Sequence, residues 1–159
     1  MKRIVALVCL VGAAAFATTV ALAGSGNGGN GHGHHGHVIH VIEHATTDAV
    51  TNQGDGSGDV AGDVLTFNNG VFNEHDSTQV GSDQGHCVRI VAGQSWECIW
   101  TTILDHRGQL TVEGPFYDTS DSKLAVTGGT GAFSNARGWM QLHALNGGAE
   151  YDFIFHLTG

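Results

Sequence analysis

The chain has little of what many functional classes require. It holds a single proline, Pro115, and no window with a convincing helical stripe of apolar residues. That excludes helical bundles and alternating α/β architectures as the organising plan. Basic residues are scarce. Six Lys and Arg stand against fifteen Asp and Glu, a formal charge of −9 with His neutral. Such a chain repels nucleic acid and anionic membrane, so neither is expected as a partner. No Ser–His–Asp triad is discernible. His75, His86, His106, His143 and His156 lack ligand spacing, so no structural metal is expected. Gly128-Gly129-Thr130-Gly131 resembles a phosphate cradle, but Ser134 stands where the third glycine of a dinucleotide motif belongs. Too little chain follows to complete a doubly wound sheet, so no cofactor is expected. The segment reads instead as a tight turn that needs positive φ.

The first residues carry an export pattern. Lys2 and Arg3 precede an apolar run from Ile4 to Ala17, and Ala21-Leu22-Ala23 fits a small-x-small cleavage site. Residues 1–23 therefore read as a secretory signal peptide of bacterial appearance. The run is too short, and too quickly followed by polar glycine-rich sequence, to be a membrane anchor. A secreted protein in the cell envelope or outside the cell is expected. Residues 24–37 are Gly, Asn, Ser and His, with nothing to bury, and read as a disordered linker. His32, His34, His35 and His37 sit close enough to chelate zinc, nickel or copper weakly, and the alternative is a soluble spacer. Two of the three cysteines lie beyond the signal segment, Cys87 and Cys98. Export and an even count favour a disulfide between them, and a pair of buried free thiols is the alternative.

From Val38 the pattern is β throughout residues 38–159. Candidate strands are Val38–Ala45, Asp63–Asn68, Gln79–Gly81, His86–Ala92, Trp96–Leu104, Gln109–Phe116, Lys123–Thr127, Trp139–Leu145 and Ala149–Leu157. Thr51–Gly62 reads as a mobile loop. Many short strands without helices leave a sandwich or a barrel. Trp96 and Trp100 share a strand face with Cys98 and read as core or subunit-interface residues.

A family resemblance is carried by particular runs. Gly114-Pro115-Phe116, Leu124-Ala125-Val126-Thr127-Gly128-Gly129-Thr130-Gly131, Leu142-His143 and Tyr151-Asp152-Phe153-Ile154-Phe155 resemble the C-terminal half of plant allene oxide cyclases. Gly62-Asp63-Val64-Leu65-Thr66-Phe67-Asn68-Asn69, Val80-Gly81, Gly85-His86-Cys87-Val88 and Val41-Ile42-Glu43 resemble earlier segments of the same family. Phe133 and Ala136-Arg137-Gly138 are similar to the related dirigent proteins. The resemblance implies an all-β fold, an eight-stranded antiparallel β-barrel, trimeric in the plant proteins.

It also implies site residues. Glu43 falls at the first-strand carboxylate that stabilises developing positive charge, and Asn69 at an asparagine that helps hold a water. Cys87 and Phe116 fall at pocket-lining positions, Phe116 without the family's tyrosine hydroxyl. Ala45 replaces a second asparagine, and no proline follows Glu43. Arg137 belongs to the dirigent-like part, where an interior arginine would bind a carboxylate or quinone-like oxygen, and a structural salt bridge is the alternative. Asn69 is equally readable as a turn residue before Gly70. Two functions stay open. One is a secreted isomerase or cyclase acting on a hydrophobic small molecule in the lumen. The other is a non-catalytic binding or structural barrel.

Overall fold

The structure, a computed structural model, describes residues 36–56 and 58–158. The expected signal peptide and His32, His34 and His35 lie outside the described residues. Nine strands follow in order: β1 (His37–His44), β2 (Ala49–Thr51), β3 (Val64–Asn73), β4 (Gln79–Val91), β5 (Ser95–Leu104), β6 (Gly108–Tyr117), β7 (Ser122–Gly131), β8 (Gly138–Leu145) and β9 (Glu150–Leu157). Each pairs antiparallel with its sequence neighbour from β3 to β9. β1 closes the sheet, pairing with β9 along its whole length and with β3 from Val41 to His44. β2 takes over the remaining edge of β3, with Ala49 opposite Thr66. β1 and β2 thus act as one strand broken at residues 45–48, and the result is a closed eight-stranded antiparallel barrel. No helix occurs among the described residues.

Strand alternation decides what enters the lumen. In β5 the buried positions are Trp96, Cys98, Trp100, Thr102 and Leu104, and Glu97 and Ile99 are exposed between them. In β9 Phe153, Phe155 and Leu157 point in. Val71, Leu110, Val112, Met140 and Phe155 have no exposed surface at all. Each contributes about 1.5–3 kcal/mol of burial relative to exposure.

Several sequence expectations change. Gln79–Gly81 and His86–Ala92 are one strand, β4, running through Ser82–Gly85. Those small and polar residues suggested a turn, but Gly85 is needed mid-strand. A Cβ there would stand 2.3 Å from Cβ of Trp100, directly opposite on β5, so glycine makes room for the indole. The strand before it extends to Asn73, which puts Asn69 mid-strand opposite Asp83 and removes the turn reading. The glycine segment lies in β7, with Gly128 and Gly129 paired to β6. Only Gly131, at φ 62, serves the following turn.

The segment from Thr51 to Gly62 is tied down. Asp63 accepts hydrogen bonds from the backbone N–H of Gln53 and Val60, at 2.6 and 3.0 Å. Asp59 accepts from Arg89 and from the Gly93 N–H.

Candidate functional site

The two ends of the lumen differ. Around the end where β1 finishes lies a cavity of about 50 Å³, lined by Glu43, Asp48, Leu65, Phe67, Cys87, Cys98, Trp100, Phe116, Leu142, Tyr151 and Phe153. A cavity of this size holds about one or two waters. Outside it a vestibule of about 580 Å³ opens between the β6–β7 and β8–β9 loops. The two spaces share Phe116, Leu142 and Tyr151 as walls. Phe116 and Tyr151 meet edge to face with ring centroids 5.9 Å apart, forming the partition.

Glu43 is the centre of this end. It is buried, faces inward from β1 and sits directly opposite Tyr151 on β9. Asn69 holds it, donating from Nδ2 to Glu43 Oε1 at 2.5 Å and to Asp48 Oδ1 at 2.8 Å. The Asn69 carbonyl oxygen accepts from the backbone N–H of Thr46 and Thr47 and from the Thr47 hydroxyl, all within 3.0 Å. One amide side chain thus fastens the break between β1 and β2 and positions two carboxylates. Burial pushes the Glu43 carboxyl up to about 7, helped by the nearby Asp48 charge and opposed by the Asn69 hydrogen bond and by His44. A carboxyl titrating there can both give and take a proton near neutrality.

A polar belt continues behind the cavity. Asp83 lies opposite Asn69 on β3 and opposite Thr102 on β5, and both Asp83 and Thr102 are fully buried. Neither carboxyl oxygen of Asp83 makes a hydrogen bond of good geometry, nor do Thr102 Oγ1 and Trp100 Nε1. Burial, and then the proximity of Glu43, pushes the Asp83 carboxyl up to about 9. The nearby backbone N–H groups of Asn69 and Asp83 offset only part of this. Asp83 is therefore protonated at neutral pH. Tyr151 is also raised, by burial first and by Glu43 second.

At the mouth, buried Arg89 donates from Nε to Asp59 at 2.7 Å and from Nη1 to both oxygens of Asp118 at 2.8 and 2.7 Å. Its guanidinium lies 3.8 Å over the Trp96 ring, and Trp96 Nε1 donates to the same Asp118. Arg89 therefore joins the loop before β3 to the loop after β6.

The structure brings Glu43, Asn69, Phe116 and Cys87 to one end of the barrel. Cys87 and Cys98 are bridged, directly opposite each other with Cα atoms 4.0 Å apart. Bridged sulfur is not a nucleophile, so Cys87 contributes wall and no thiolate chemistry. Arg137 is elsewhere. It is exposed in the β7–β8 loop at the opposite end, and its guanidinium donates to the Ala136 carbonyl. It meets neither the cavity nor a salt-bridge partner among the described residues, so neither role anticipated for it is present. His37 is the first residue of β1, paired with Leu157. Among the described residues, one group is spaced to share an ion: His44, Asp76 and Glu150, outside the barrel.

Sequence reasoning missed Asp48, Asp83, Arg89, Thr102 and Tyr151. A signal existed for two of them: in a strand continuous from Gln79, Asp83 and Arg89 share the inward face of Cys87.

Comparisons with known proteins agree with this architecture. The family described as allene oxide cyclase matches residues 37–159. A pyocyanin demethylase structure superposes with a TM-score of 0.65 at 24% identity, covering 76% of this chain and 99% of that one. Two pterocarpan synthase dirigent proteins superpose at 22% identity. One has a TM-score of 0.62, covering 78% of this chain and 97% of its own; the other has 0.60, covering 78% and 86%. At these identities the likeness is one of fold.

Proposed function

This chain belongs to the allene oxide cyclase family, and on that premise we propose that it binds a hydrophobic small molecule at the Glu43 end of the lumen and steers its isomerisation or cyclisation. One observation carries the reading: a buried carboxyl raised to about 7, fixed by Asn69, in the wall of a cavity lined mostly by aromatic and aliphatic side chains. The body of the ligand occupies the vestibule, and one ring edge or substituent passes Phe116 and Tyr151 towards Glu43. The carboxylate takes a proton from a carbon of the ligand and returns it at another position as the ligand's bonds shift. No electrons are exchanged, so no cofactor is required. The closed lumen keeps water from competing, and the walls fix the reacting conformation. The names of the structural neighbours, a demethylase of pyocyanin and synthases of pterocarpans, support a small-molecule substrate.

The leader sequence and the disulfide support an exported protein. Exposed Ile90, Val91 and Ile99 on β4 and β5 supply an apolar outer face for a homotrimer. A non-catalytic binding barrel is the second reading, favoured by the small inner cavity and by the phenylalanine at position 116.

Native mass spectrometry of the purified protein tests the proposal. A small-molecule adduct is expected, and Leu142→Trp, which fills the mouth, should abolish it. With the ligand identified, Glu43→Gln should lower turnover at saturating ligand by about 10²–10⁴-fold. Unchanged turnover leaves the binding reading only. An adduct that survives Leu142→Trp places the ligand elsewhere and defeats both.

A further inference from the structure

Four charged side chains among the described residues are buried: Glu43, Asp63, Asp83 and Arg89. Two are compensated. Asp63 accepts from two backbone N–H groups, and Arg89 is held between Asp59 and Asp118. The other two are not. Glu43 receives one hydrogen bond from a neutral amide and is not ion-paired, and Asp83 has only the nearby backbone N–H groups of Asn69 and of Asp83 itself and no counter-ion. Buried charge without a counter-ion is costly, and these two carboxyls escape the cost only by keeping protons.

Resting on the small-molecule reading of this same site, we propose that the ligand is an organic cation whose charge completes the Glu43 pocket.

The lining points the same way throughout. Glu43 and Asp48 face the cavity and Asp118 and Asp121 the vestibule, and neither space is lined by a lysine or arginine. The nearby cations are spent: Arg89 on Asp59 and Asp118, and His143 on Asp121 at 2.5 Å. An anionic ligand would meet carboxylates and no free positive group. Phe67, Trp100, Phe116, Tyr151 and Phe153 supply ring faces that attract cations electrostatically. Trp100 is 3% exposed, lines the cavity and has an Nε1–H without an acceptor, so an oxygen or nitrogen on the ligand, or a water carried with it, has a donor waiting.

Cation binding must also release a proton. The groups facing Glu43 are Asn69, Asp48, Asp83, Tyr151 and the neighbouring His44, and none supplies a buried fixed positive charge. A cation beside Glu43 therefore favours the carboxylate, and its proton leaves for the buffer.

The test uses three probes of one shape: N-methylacridinium, neutral acridine and acridine-9-carboxylate. They are titrated at pH 7.5 into the full chain and followed by tryptophan quenching and by calorimetry in two buffers of different ionisation enthalpy. The cation is expected to bind at least about tenfold tighter than acridine and about a hundredfold tighter than the carboxylate. Only the cation should release a fraction of a proton. Glu43→Gln should bring the cation to within about threefold of acridine and leave acridine unchanged. Exposed Glu97→Gln should change neither. Should Glu43→Gln fail to fold, the proton count on the unsubstituted protein decides, and no release overturns the proposal. Equal binding of cation and acridine, or preference for the carboxylate, overturns the cation assignment and leaves the small-molecule reading standing. Binding of none of the three overturns both.

Discussion

The two ends of one lumen are built from the same strands and do opposite things. At the end where β1 begins, Ile39, Leu110, Met140 and Phe155 meet with almost no exposed surface, and Phe133 drops in from the β7–β8 loop as a stopper under Arg107. At the end where β1 finishes, inward positions carry Glu43, Phe116 and Tyr151 around a space that side chains do not fill, with Asn69 and Asp83 buried behind it. On β9 the change takes four residues, from Phe155 opposite Ile39 to Tyr151 opposite Glu43. A barrel this small can carry uncompensated carboxyls at one end because the other end is packed as a core. Close packing and buried polarity are separated along the axis.

Alanine at the two ends should break that symmetry most visibly. Phe155→Ala should cost about 3–5 kcal/mol in urea unfolding, because it opens a void in a close-packed region. Phe116→Ala, in the half-exposed partition, should cost about 1 kcal/mol or less while enlarging the passage to Glu43. Equal losses at both positions would erase the distinction between plug and mouth.

The carboxyl end has its own signature in pH. In the unfolded chain Glu43 and Asp83 ionise at their ordinary values of 4.5 and 3.8; folded, they keep protons to about 7 and about 9. Between those limits the folded state binds more protons than the unfolded one, so stability falls as pH rises. The slope approaches about 1.4 kcal/mol per pH unit for each proton held. Glu43 acts between pH 4.5 and 7, and Asp83 across the whole window to 9. Asp83→Asn should therefore flatten unfolding free energy between pH 7 and 9, by up to about 2–3 kcal/mol. Substitutions at the packed end should leave that slope untouched. An unchanged slope in Asp83→Asn would mean that the acid is solvated and the belt is wet.

How much of this was legible in the sequence differs between the same two regions. β5 announces itself, since Trp96, Cys98, Trp100 and Leu104 alternate with residues that can meet water. The packed end follows from such runs by periodicity alone. β4 hides because its inward face is Gly81, Asp83, Gly85, Cys87 and Arg89, which no hydrophobic pattern detects. Its glycine answers to an indole on the next strand, and its charges answer to partners on β1, β3 and two loops. Glu43 and Asn69 were singled out by resemblance; that one amide holds both Glu43 and the break after β1 follows only from the fold. Inward polar residues depend on contacts distant in sequence, and composition does not record those.

The two arginines give the smallest and sharpest contrast. Arg89 lies at the mouth, buried, with three charge-assisted hydrogen bonds to carboxylates of two loops. Arg137 lies at the plugged end, exposed, donating to the carbonyl of the residue before it. Arg89→Met keeps the stem over Trp96 and removes the fork, so Asp59 and Asp118 lose their partner and repel each other. About 1–2 kcal/mol should be lost, with faster amide exchange confined to residues 52–62 and 118–121. Arg137→Ala should stay within about 0.5 kcal/mol and leave ligand binding unchanged, because nothing buried depends on its charge. The reverse order would move the mouth of this barrel to its other end. The residue that most resembles a dirigent feature would then govern access, and Glu43 would face the closed side.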